Sequence, residues 1–156
     1  MTDKASTLLP VLPRDRDAYP HWMGEHVRWS DTDLVGHVNN LSISAYFETG
    51  RTHFLLPVLS KDLPEPSLLL LAQITVNFLG EVHWPGNLDI GTGLLSLGRS
   101  SCRLGQALFD GARCVATAET VLVLIDESTR KPREIPEPMR AWFSSFALML
   151  EHVGGS

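Results

Sequence analysis

The chain has 156 residues, 44% hydrophobic and 20% charged, with a formal net charge of -5. That length and apolar content suit one globular domain with a substantial core. The acidic balance argues against non-specific nucleic-acid binding, which needs a basic footprint, and no apolar run reaches the length of a transmembrane helix.

Residues 1–24 read as an N-terminal arm, irregular at least to Pro20 because Pro10, Pro13 and Pro20 interrupt it. The opening Met1-Thr2-Asp3-Lys4-Ala5 lacks the basic-then-apolar pattern of a signal peptide. The two cysteines, Cys102 and Cys114, suit a reducing compartment better than a disulfide framework, so a cytoplasmic location is expected. His21, Glu25 and His26 are spaced like metal ligands, but Pro20 and Gly24 spoil the helix such a spacing needs. No metal site is expected.

From Val27 the chain reads as a short strand ending in two carboxylates, Asp31 and Asp33. A polar turn with Gly36, His37, Asn39 and Asn40 follows. Asn39 or Asn40 can cap a helix of about 17 residues, expected to stop before Pro57. That helix is apolar nearly all round, which predicts burial on more than one side. A Pro-rich connection leads to Gln73–Phe78, whose alternation predicts a half-buried strand. Trp84-Pro85-Gly86-Asn87 reads as a turn, and Leu88–Leu97 and Ser101–Phe109 as strands. Asp110-Gly111 signals a tight hairpin into a long strand, Ala112–Ile125. A polar loop and a terminal helix over Met139–Val153 complete the chain. The expected architecture is α+β: strands in antiparallel succession, wrapped as a sheet around one apolar helix so that both bury their apolar faces.

A carboxylate beside a helix start can act as base or nucleophile, next to free backbone N–H groups and a positive dipole end. The competing reading of Asp33 is a turn cap. Asp31 is the weaker candidate and reads as structural. Glu48 and Arg51, three apart on the helix, read as an internal ion pair. Arg99, Ser100 and Ser101 form either an ordinary polar turn or a contact for phosphate oxygens, with Arg130, Lys131 and Arg133 as a second basic cluster. No serine has the Gly-x-Ser-x-Gly setting of a nucleophile elbow.

Arg28-Trp29-Ser30-Asp31-Thr32-Asp33, Gly36-His37-Val38-Asn39-Asn40 and Tyr46-Phe47-Glu48 with Arg51 together resemble the hotdog-fold acyl-CoA thioesterases, in the branch typified by 4-hydroxybenzoyl-CoA thioesterase. Gly98–Ser101 and Ala118–Val123 extend the resemblance, which covers residues 25–138 as one domain and leaves 139–156 as a C-terminal helix and tail. The resemblance implies a hotdog fold, with an antiparallel sheet around a long central helix. It implies hydrolysis of an acyl-CoA to free acid and coenzyme A, with Asp33 as the catalytic carboxylate. The backbone N–H of Asn40 would polarise the thioester carbonyl, and His37 is the third catalytic candidate. Asn39, Arg99, Ser100 and Ser101 are candidates for substrate contact. Ile43 stands where the family usually has an aromatic residue, which changes the acyl pocket rather than the chemistry. The family assembles as homodimers or homotetramers with active sites at subunit interfaces. No cofactor is expected beyond the coenzyme A of the substrate, and neither nucleic acid nor membrane is an expected partner.

Two other functions compete. His83-Trp84-Pro85-Gly86 faintly resembles the His-x-Pro-Gly of hotdog hydratases and dehydratases, but it precedes a strand rather than the central helix. The chain could also be a non-catalytic acyl-CoA-binding module, and the acyl group could arrive on a carrier protein.

Overall fold

Five antiparallel strands form one sheet, side by side in the order His21–Val27, Gly86–Leu97, Ser101–Asp110, Arg113–Asp126 and Ser67–Phe78. The computed structural model describes residues 11–150. The elements run β1 (His21–Val27), α1 (Asn40–Lys61), β2 (Ser67–Phe78), β3 (Gly86–Leu97), β4 (Ser101–Asp110), β5 (Arg113–Asp126) and α2 (Glu137–Ser144). Short 3-10 turns at Arg16–Ala18 and Trp29–Asp31 flank β1. The α+β arrangement is the expected one, a sheet wrapped against one long helix. Among the described residues no helix is long and apolar enough to cross a membrane.

The tight hairpin at Asp110-Gly111 forms as the sequence signals, with Gly111 at φ +62°, a conformation that favours glycine. The simple succession of strands does not hold. β2 follows the helix yet pairs with β5 at the far edge, and β3 crosses back to pair with β1. Register along one strand is legible from alternation, but which strand lies beside it depends on distant partners.

The helix α1 packs chiefly on β3, with smaller contacts to β1 and β4. Ile43, Phe47, Gly50, Phe54 and Val58 recur at the helical period and face the sheet. Gly50 marks the closest approach, because a Cβ there would lie 2.6 Å from Cγ2 of Ile90. The opposite face, with Leu41, Ala45, Glu48, Thr49, Thr52 and Leu56, is exposed, so within one chain the helix is buried on one side only. Pro57 lies inside the 22-residue helix rather than after it. It sits on the exposed side, where the carbonyl deprived of its N–H partner can turn to water.

Two further expectations change. The first strand ends at Val27, and Asp31 and Asp33 lie in the 3-10 turn and the loop beyond it. The last helix stops at Ser144, and the chain then runs extended beside β3. The Leu94 amide donates to the Phe146 carbonyl at 2.7 Å, and the Leu148 amide to the Leu94 carbonyl at 2.9 Å. This segment continues the sheet edge where β1 is absent, and the backbone bonds gained there compete with further helix. Residues 151–153 of the expected helix lie outside the described residues. On the outer face of the sheet, Leu12, Ala18 and Tyr19 of the arm pack with Ala107, Phe109 and Leu148.

Candidate active site

The loop between β1 and α1 closes on Asp33. Its amide donates to the His37 carbonyl at 2.8 Å, and the Gly36 amide donates back to the Asp33 carbonyl at 3.1 Å. Gly36 takes φ +87°, which permits the turn. The side chain joins in, with Asp33 Oδ1 accepting from the amides of Val35 at 2.8 Å and His37 at 3.2 Å. These bonds fix the carboxylate by one oxygen. Among the described residues nothing donates to Oδ2, and the residue is exposed.

Asp31 performs a different task. It is buried, and its Oδ2 accepts from the Arg28 amide at 2.8 Å and the Tyr46 hydroxyl at 2.5 Å. Its carbonyl accepts from the Asn39 amide at 2.8 Å. Asp31 therefore ties the loop to both β1 and α1, the structural part expected of it.

Asn39 is the N-cap of α1, and its Oδ1 accepts from the amides of Leu41 at 2.7 Å and Ser42 at 3.3 Å. The Ile43 amide donates to the Asn39 carbonyl at 3.1 Å. Of the first four helical amides, only that of Asn40 has no acceptor among the described residues. Capping has satisfied the others and left one donor at the positive end of the helix. Trp29, Leu34, Val35, Leu41 and Trp84, on and beside this loop, expose apolar surface, with Trp29 and Trp84 edge to face at 5.1 Å.

The His37 ring lies not on Asp33 but beside Glu81 and His83. Its Nε2 is 3.3 Å from Glu81 Oε2, and His83 Nε2 is 3.6 Å from the same oxygen. Sequence reasoning passed over Glu81 and read His83 only within His-x-Pro-Gly. The available signal was their i, i+2 spacing, which puts both side chains on one side of an extended segment.

Arg99, Ser100 and Ser101 stand at the other end of the sheet. The Asp33 loop adjoins the start of β3, where Gly86 pairs with Val27, and the Arg99 turn follows Leu97 at its end. A strand of that length extends about 36 Å, so one chain does not bring these groups together. Arg99 is 83% exposed and meets Glu134 at 3.6 Å. Arg133 donates to Ser67 Oγ at 3.0 Å near the same end.

The Glu48–Arg51 ion pair does not form. Glu48 is exposed, whereas Arg51 is only 6% exposed with Nη1 unpartnered among the described residues. The helical twist turns the one outward and the other toward the sheet. Burial lowers the Arg51 pKa, against the opposing pull of the Glu48 charge. Likewise His21, Glu25 and His26 alternate along a strand, and His26 Nδ1 meets Asn87 instead of a neighbouring ligand. A cavity of about 320 Å³ opens between Leu12 and Arg14 of the arm and Thr75, Asn77 and Glu119 of β2 and β5, away from the Asp33 loop.

The sequence profile of the thioesterase-like superfamily matches residues 27–143. No curated protein matches the chain. Among solved structures, a Pseudomonas aeruginosa PAO1 protein is 26% identical, with a TM-score of 0.79, over 88% of this chain and 98% of that one. A probable thioesterase from Bartonella henselae is also 26% identical, with a TM-score of 0.66, over 74% of this chain and 98% of that one. A thioesterase from Thermus thermophilus, solved in complex with coenzyme A and Zn, shares the fold at 24% identity and a TM-score of 0.72, over 83% of this chain and 95% of that one.

Proposed function

Because the chain belongs to the thioesterase-like superfamily, with the hotdog fold of its structural neighbours, we propose that it hydrolyses an acyl-CoA thioester to a free acid and coenzyme A. The observation that carries this reading is the pairing of two unspent groups. Among the described residues, Asp33 offers a carboxylate oxygen with no donor and α1 offers the Asn40 amide with no acceptor. A thioester carbonyl placed on that amide gains a hydrogen bond as negative charge develops on its oxygen. Asp33 then either takes a proton from attacking water or adds to the carbonyl carbon as nucleophile. The carbon–sulfur bond breaks in either case, and coenzyme A leaves as a thiolate that takes up a proton. In the nucleophilic route a water then cleaves the acyl–Asp33 anhydride, releasing the free acid and restoring the carboxylate. Asn39 holds the helix start in place. His37 contributes its backbone N–H, which orients the Asp33 carboxylate.

The exposed Trp29, Leu34, Val35 and Leu41 suit an apolar acyl group or a covering subunit. The coenzyme A bound by the Thermus thermophilus relative supports the choice of thiol. A homodimer or homotetramer reconciles the distant Arg99 turn with Asp33. β2 is a 12-residue edge strand with Leu71, Ile74 and Phe78 exposed, and such an edge invites pairing. Two-fold antiparallel pairing of β2 with a second copy sets opposite sheet ends side by side. The Arg99 turn of one subunit can then serve coenzyme A phosphates in the site of the other, with Ser100 and Ser101 as further hydrogen-bonding groups.

The test is thiol release across short, long and aromatic acyl-CoAs, with Asp33→Asn as control. Release that depends on Asp33 supports the reading. Hydration of an enoyl-CoA without thiol release, or tight binding without turnover, would replace it.

A further inference from the structure

His37, Glu81 and His83 lie on two segments that the backbone locks together. His37 and His83 form an isolated antiparallel bridge, and the Val38 amide donates to the Val82 carbonyl at 2.8 Å. Arg113 Nη2 holds the Glu81 carbonyl at 2.9 Å. Three side chains of metal-binding type thus meet at a preset spacing, without a helix to organise them.

Their spacing fits a common ion better than mutual contact. A tetrahedral zinc with ligand bonds of about 2.0–2.1 Å places its ligands about 3.3 Å apart. Glu81 Oε2 already lies 3.3 Å from His37 Nε2 and 3.6 Å from His83 Nε2. A direct charge-assisted hydrogen bond would be shorter, about 2.7–2.9 Å. All three ligand atoms fall within 4.8 Å of one another, so the histidine pair must close by at most about 1.5 Å to complete the set. The side chains are 32%, 65% and 57% exposed, so an ion enters without any opening of the fold.

We propose that His37, Glu81 and His83 form a binding site for one divalent transition-metal ion of the zinc type, beside the Asp33 loop. Two imidazoles and a carboxylate select zinc, cobalt, nickel or copper over magnesium, which prefers an all-oxygen shell. Three protein ligands leave a fourth position open to water or an anionic ligand. The ion joins the Asp33 turn to the β2–β3 connection through side chains, adding to the backbone bridge. The proposal does not depend on thioester hydrolysis, and neither Glu81 nor His83 has a part in that reaction.

The experiment is calorimetric titration of untagged protein with zinc chloride, repeated with cobalt chloride under visible absorption and with magnesium chloride as control. One zinc per chain, tetrahedral cobalt bands and no magnesium uptake are expected. His83→Ala and Glu81→Gln should each weaken zinc binding by about tenfold or more, with circular dichroism confirming the fold. Should one variant fail to fold, the other decides. No zinc uptake by the wild type, or zinc binding unchanged in the folded variants, overturns the site.

Discussion

The Tyr46 hydroxyl donates to Asp31 Oδ2 at 2.5 Å, joining the second turn of α1 to the loop that carries Asp33. Burial first, then the Asp31 carboxylate, pushes the Tyr46 phenol above its ordinary range, so it remains a donor at any physiological pH. Tyr46→Phe removes this bond and leaves the Asp31 carboxylate with only the Arg28 amide among the described residues. Hydrogen bonds to charged groups contribute about 1.5–3 kcal/mol, and denaturant unfolding should show a loss of that size. Combining Tyr46→Phe with Asp31→Asn should cost clearly less than the sum of the two, because both act on one bond. Strict additivity would mean that the contact carries no energy.

Asp33→Asn retains size and an oxygen that can accept from the Val35 and His37 amides, but removes the basic oxygen. It should fold and assemble as the wild type while kcat falls about 10²–10⁴-fold, the usual contribution of a positioned base. Asp31→Asn should affect turnover less and melting temperature more. Near wild-type turnover by folded Asp33→Asn would remove Asp33 from the chemistry and make Glu48→Gln the next variant to measure.

Arg99→Ala should raise KM more than it lowers kcat, since a phosphate contact holds ground and transition states alike. Added salt should weaken substrate binding by the wild type and have less effect on the variant. The same model requires an oligomer, because Arg99 and Asp33 lie at opposite ends of one sheet. Light scattering that finds a monomer at micromolar concentration, together with full activity, would separate Arg99 from the site.

His21 lies against Phe54 and Phe146, with the His53 ring at 5.3 Å. Burial first, then His53, holds its imidazole below the ordinary histidine range. The unfolded chain therefore takes up the proton more readily than the folded one. The stability from neutral His21 is present above the ordinary histidine pKa and is lost as pH falls through it toward the folded value. Melting temperature should drop between about pH 7.5 and 5.5. His21→Phe, which also removes an Nδ1 that has no partner among the described residues, should flatten that slope. An unchanged slope would assign the pH dependence to other groups.

The amino-acid pattern determined where most elements lie, though not all of their ends, and the polar core of the loop. Asn39 caps α1 because its side chain competes for early amides wherever a helix begins. Gly111 turns the hairpin because glycine reaches positive φ at little cost. Both are local effects, visible in a few consecutive residues. The same holds for the turn around Asp33, whose donors, Val35 and His37, lie two and four residues on. Tertiary structure decided what depends on separations that the chain order does not encode. It set β2 beside β5, turned Glu48 to solvent and Arg51 inward, and kept Pro57 within the helix because tertiary packing outweighs one missing backbone bond. It also carried Glu81 and His83 to His37, more than forty positions away. Such contacts follow from strand pairing and from which face of a helix meets the sheet. Those are fixed by the summed burial of the whole core, and no single stretch of sequence contains that sum.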